Sequence, residues 1–191
     1  MKVRYVFAGV ALTVGVLAAA GSGGSSVSNS TVTTAGGSTA TTGGSTATTK
    51  ASSAAHVGST VAVSDGNGGD ANVTITQVID PASGADQYTT PDAGKRFVGV
   101  EMTIQNTGKK TLQDDANSTT TVQGSDNQTY TFDVNDISEC TNFNSGSYTL
   151  APGASVTGCV VFQLPTGVSP KQVQFQPTGF TGGTTGQWQV P

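Results

Sequence analysis

Between Gly94 and Gly108 the chain reads GKRFVGVEMTIQNTG, in which Val98, Val100, Met102 and Ile104 alternate with Gly99, Glu101, Thr103 and Gln105. An extended backbone turns successive side chains to opposite faces, so a period of two puts the four apolar residues on one face and the other four on the water side. A helix, at 3.6 residues per turn, would scatter the same four residues around its circumference. The segment therefore predicts a half-buried antiparallel strand bounded by glycines. Such a strand needs a second layer to bury its apolar face.

The same texture recurs from about residue 56 onward. TVAV (60–63) and NVTITQVI (72–79) flank the turn-forming run DGNGGD (65–70) and predict a first hairpin. TTTVQG (119–124) and TYTFDV (129–134) flank SDNQ and predict a second, with Tyr130 and Phe132 on one face. In SVTGCVVFQLP (155–165), Val156, Val160, Phe162 and Leu164 share a face and Cys159 points the other way. KQVQFQP (171–177) and QWQV (187–190) complete the set. Seven or eight short strands without helical periodicity predict an all-β fold, an antiparallel sandwich spanning residues 56–191.

The N-terminal third has none of this pattern. Lys2 and Arg4 precede a 15-residue apolar segment, VFAGVALTVGVLAAA, which ends in three alanines before Gly21. That order predicts an export signal over residues 1–20, and 15 residues fall short of the roughly 20 that a membrane-spanning helix needs. The alternative is an uncleaved segment kept as an anchor. Gly21, Ser22 and Gly23 follow, so no cysteine stands where a lipid would be attached. Residues 21–55 are almost wholly Gly, Ser, Thr and Ala, and GGSTATT at 36–42 is duplicated at 43–49. So little apolar surface predicts a disordered low-complexity linker, whose hydroxyls offer sites for O-linked sugars. The expected location is extracellular, secreted or cell-envelope associated, with no direct membrane insertion after signal cleavage. Asn29, Asn72, Asn117 and Asn127 each begin an N-x-S/T triplet, a match that so Asn- and Thr-rich a chain produces by composition alone.

Charge narrows the partners. Only 10% of residues are charged, and removing Lys2 and Arg4 leaves six basic residues against 12 acidic ones, a net of −6. Without a basic cluster the chain has no footprint for nucleic acid. The two cysteines, Cys140 and Cys159, both fall in the exported region and predict a disulfide. Closing a loop of about 20 residues stabilises a fold by roughly 3 kcal/mol.

In order and spacing, HVGSTVAV (56–63), VTIT (73–76), GKRFVGVEMTIQNTGKKTL (94–112), LAPGASVTGCVVFQLP (150–165) and VQFQP (173–177) with Trp188 resemble a known family. It comprises the secreted immunoglobulin-like sandwich domains of unknown function found in Gram-positive bacteria, to which the mycobacterial immunoprotective extracellular antigen is related. The resemblance implies an exported immunoglobulin-like sandwich at or beyond the cell surface. It brings no catalytic or ligand-binding residues with it.

The inventory of reactive side chains is thin. His56 is the only histidine, and no G-x-S-x-G elbow accompanies the serines, so no catalytic residues are assigned. Glu101 and Glu139, the only glutamates, would support glycoside hydrolysis if they faced each other at roughly 5 to 10 Å. Asp65–Asp70 and Asp133–Glu139 cluster oxygens that suit Ca²⁺. Neither fits the twelve-residue calcium loop, and turn chemistry explains both, so no metal and no cofactor are expected. Trp188, Tyr148, Tyr130, Tyr88 and Phe143 either form a platform for sugar rings or pack into the core. The expectation is a non-enzymatic surface module that binds a protein or a cell-envelope glycan. The alternatives are a purely structural or antigenic surface protein and, behind it, a hydrolase using Glu101 and Glu139.

Overall fold

The computed structural model describes residues 55–178 and 183–191. The expected export signal and residues 21–54 of the expected linker lie outside the described residues. Among the described residues the chain forms β1 (Ala55–His56), β2 (Thr60–Ser64), β3 (Asp70–Ala82), β4 (Lys95–Asn106) and β5 (Leu112–Asp115). A one-turn helix, α1 (Ala116–Thr119), leads to β6 (Thr120–Gly124), β7 (Thr129–Tyr130) and β8 (Phe132–Asp133). After a long loop come β9 (Ser147–Leu150), β10 (Ser155–Pro165), β11 (Pro170–Phe175) and β12 (Gly186–Gln189). Nine of these strands have four or more residues.

Two five-stranded sheets make an antiparallel immunoglobulin-like sandwich, in the orders β1-β12-β11-β6-β7 and β2-β3-β4-β10-β8. The short pair β5-β9 stands apart, and β1 joins β12 in parallel. The alternation in β4 does what it predicts, since Val98, Val100, Met102 and Ile104 are fully buried. They meet Val160, Phe162 and Leu164 of the neighbouring β10, and Val122, Val173, Phe175 and Trp188 from the facing sheet. The Trp188 indole N–H donates to the Ser59 carbonyl at 2.8 Å, so the largest core side chain also fixes the turn between β1 and β2.

Turn chemistry closes the expected hairpins. Asp65 Oδ1 accepts from the N–H groups of Asn67 at 2.6 Å and Gly69 at 2.8 Å, which shapes the β2-β3 turn. Before β10, the Ala154 N–H donates to the Ala151 carbonyl across Pro152-Gly153. Gly153 has φ +82°, a position glycine fills without steric cost. Arg96 donates to both Asp80 oxygens and to the carbonyls of Pro165 and Val168, which ties the end of β3 to the β10-β11 turn.

Two expectations need correction. The second hairpin holds only as far as Tyr130, which pairs with Val122, because Phe132 pairs with Phe162 in the other sheet. The chain changes layers at Thr131, so Tyr130 and Phe132 do not share a face. Gly99 does not look into water either, because the loop after β8 folds over it and a methyl group there would overlap Ile137 Cδ1. Phe97, Ile137, Cys159 and Val161 form a second, smaller apolar cluster on this outer face.

Candidate functional site

The segment that builds the second cluster is residues 134–146, which wraps around the edge of β10. Ile137 lies on the outer face over Gly99, while Phe143 reaches the inner core, where a Cβ on Gly158 would come within 2.6 Å of its ring. Between them the Cys159 N–H donates to the Thr141 carbonyl at 2.9 Å. Cys140 and Cys159 are disulfide-bonded with Cα atoms 5.9 Å apart. The predicted bridge therefore pins a loop that straddles the sheet edge. Both glycines are needed because each lets a bulky side chain touch the backbone.

Beside this loop, and reaching α1, lies a groove of about 780 Å³. Phe132, Val134 and Ile137 supply its apolar lining, and Asp136 and Glu139 its charge. Phe132 is 38% exposed and Val134 81%. Tyr88, 83% exposed, stands on a neighbouring loop joined to the first by Ala85 N–H to Asp136 O and Ser138 N–H to Ser83 O, both 3.0 Å. The large apolar side chains left exposed among the described residues thus come from β8, from the residue that follows it and from a loop bonded to the segment after β8. Grouped apolar exposure of this kind marks interaction surfaces.

The polar groups of the groove are unevenly satisfied. Glu139 Oε1 accepts from the Ser83 N–H at 2.9 Å, which holds its carboxyl below its ordinary value. Asp136 accepts from Asn142 Nδ2 at 3.2 Å. Among the described residues no lysine or arginine lines the groove. Asn117 and Asn142, which both line it, each carry a buried Oδ1 without a hydrogen-bond partner, and Asn117 is only 8% exposed. A buried carbonyl left unpaired costs about 1–3 kcal/mol, so it favours an incoming donor. In the sequence Asn117 stands out only through its N-x-S/T triplet, which points to a sugar on a side chain that is in fact buried. A smaller depression of about 250 Å³ among Ser118, Thr121, Gln174 and Thr178 carries no charge.

Glu101 pairs with Cys159 across β4 and β10 and accepts from the Thr76 hydroxyl at 2.9 Å in the middle of β3, whereas Glu139, next to Cys140, accepts from the Ser83 backbone N–H just beyond the end of β3. The lowered Glu139 is the reverse of what a general acid needs. Among the described residues no group of three or more His, Cys, Asp or Glu side chains converges on a metal-sized point. The acidic runs serve turns, as Asp65 does above and as Asp133 does by accepting from the Asn135 N–H and Gln163 Nε2. The sugar platform does not form, because Trp188, Phe143 and Tyr148 are buried and Tyr130 donates its hydroxyl to Asp126 at 2.7 Å. Only Tyr88 of the five stands in solvent. His56 is exposed on β1, opposite Gln189.

None of the curated proteins matches the chain. Among solved structures it is similar to YcdA of Bacillus subtilis, at 18% identity and TM-score 0.47 over 62% of this chain, although it spans only 36% of YcdA's length. It is similar to YjhA of the same organism, at 14% identity and TM-score 0.49 over 72% of this chain and 99% of that one. It is also similar to MPT63, a secreted protein from Mycobacterium tuberculosis, at 14% identity and TM-score 0.48 over 71% and 95%. A family model matches residues 56–185, more than half of the sequence and nearly all of the sandwich, and the chain belongs to that family, the domain of unknown function DUF4352.

Proposed function

We propose that this chain is an exported, non-enzymatic binding module that engages a protein partner through the groove beside the Cys140–Cys159 loop. Export rests on the charged and apolar N-terminus and the disulfide, which suits an oxidising compartment. The observation that carries the binding reading is that Phe132 and Val134, two of the large apolar side chains left exposed among the described residues, line one groove. A protein is favoured over a glycan because four of the five aromatic side chains that would stack on sugar rings are buried or tied to the fold. The lowered carboxyl of Glu139, the reverse of what a general acid needs, supports the non-enzymatic part.

A photo-crosslinking amino acid placed at Val134 of the full-length protein in its native host tests the reading, with the same group at Gln187 on the far sheet as control. The expected result is a discrete protein adduct from position 134 alone, lost when Phe132→Ser is added. Equal adducts from both positions, or insensitivity to Phe132→Ser, would overturn it.

A further inference from the structure

We infer that the groove accepts a cationic segment of its protein partner, an extended stretch carrying Lys or Arg next to apolar residues. This rests on the reading of the groove as the binding surface and adds the chemistry of what fills it. Three independent features agree on that chemistry.

The first is charge. Asp136 and Glu139 line the groove without a basic side chain beside them among the described residues, so it presents two negative charges that no described lysine or arginine neutralises there. The second is hydrogen bonding. The buried Oδ1 atoms of Asn117 and Asn142 are acceptors without donors, and the ammonium and guanidinium groups of Lys and Arg carry only donors. The third is the backbone. β8 is the terminal strand of its sheet and pairs with β10 on one side only, so among the described residues no strand pairs with its other edge. Phe132 and Val134 beside that edge give an alternating partner somewhere to put its apolar side chains. A free divalent cation fits less well, because no three acidic or imidazole groups converge among the described residues.

Fluorescence anisotropy with the oxidised full-length protein and three labelled peptides of equal length tests the inference. One alternates Val with Lys, one alternates Val with Glu, and one alternates Val with Ser. The Lys peptide should bind at least about tenfold more tightly than the other two at low salt, and the advantage should shrink as the Debye length falls from about 30 Å at 0.01 M to about 8 Å at 0.15 M. The double variant Asp136→Asn/Glu139→Gln should remove most of that preference, and Val134→Ser should weaken the Val-containing peptides alike. If all three peptides bind equally and all are lost in Val134→Ser, the groove stands as a binding surface and its cationic preference falls. If the Lys peptide binds but is indifferent to Val134→Ser and to Asp136→Asn/Glu139→Gln, it binds elsewhere and the inference is wrong. Absence of binding by the Lys peptide would overturn it directly.

Discussion

Asn106 is a buried polar side chain that ties two turns of the fold together. It is fully buried at the end of β4, where its Nδ2 donates to the carbonyls of Lys110 and Leu150, both at 2.8 Å, and its Oδ1 accepts from the Gly108 N–H at 2.9 Å. One amide thereby closes the turn after β4 and docks the end of β9. Removing it strands buried backbone groups, so Asn106→Ala is expected to cost about 2–4 kcal/mol in chemical denaturation. A loss under about 0.5 kcal/mol, typical of a surface site, would contradict this role. Tyr148 makes a different prediction. Burial, with Asp114 and Asp115 close by, pushes its phenol up, so the neutral form is the one the fold favours. The stability this contributes is present below the ordinary phenol value of about 10 and is lost as pH rises past it. Thermal midpoints should therefore drop between pH 9 and 11, and Tyr148→Phe should flatten the drop.

At the scale of elements, the loop 134–146 behaves as a clip on the edge of β10. Its grip depends on Gly158, where a Cβ would lie 2.6 Å from the Phe143 ring, so Gly158→Ala is expected to destabilise by about 1–3 kcal/mol through overpacking. Differential scanning calorimetry would register the loss. The disulfide holds the same clip from the other side, and the double substitution Cys140→Ala/Cys159→Ala should cost roughly 3 kcal/mol. Peptide binding in the groove should weaken more than that loss of global stability alone implies, because Ile137, Glu139 and Asn142 all ride on the clip. Affinity unchanged in a folded double variant would show that the loop keeps its shape without the bridge.

For the molecule as a whole, what the sequence disclosed follows from how local its signals are. The period-two runs in β3, β4 and β10 expose the core directly, because each strand has one apolar face, and the opposite facing of Cys159 follows from the same count. Asp, Asn and Gly runs marked the turns for an equally local reason. The change of layer at Thr131 left no trace, since TYTFDV alternates whether it stays in one sheet or crosses to the next. Gly99 read as a water-facing residue because nothing nearby in the sequence announces that Ile137, 38 positions later, will cover it. The groove was illegible for the same reason, as it joins α1, β8 and the clip through tertiary contact. Its apolar wall could have been suspected only from Phe132 and Val134 ending a strand pattern beside acidic residues.

Hydrogen–deuterium exchange of the oxidised full-length protein tests most directly whether the clip is part of the fold or a loose excursion from it. The clip account predicts slow exchange at the Cys159 amide and at Ser138, whose N–H is bonded to Ser83, on a par with the β4 and β10 cores, and much faster exchange at Ser138 once the disulfide is reduced. Rapid exchange at Ser138 in the oxidised protein, with β4 and β10 still protected, would contradict it.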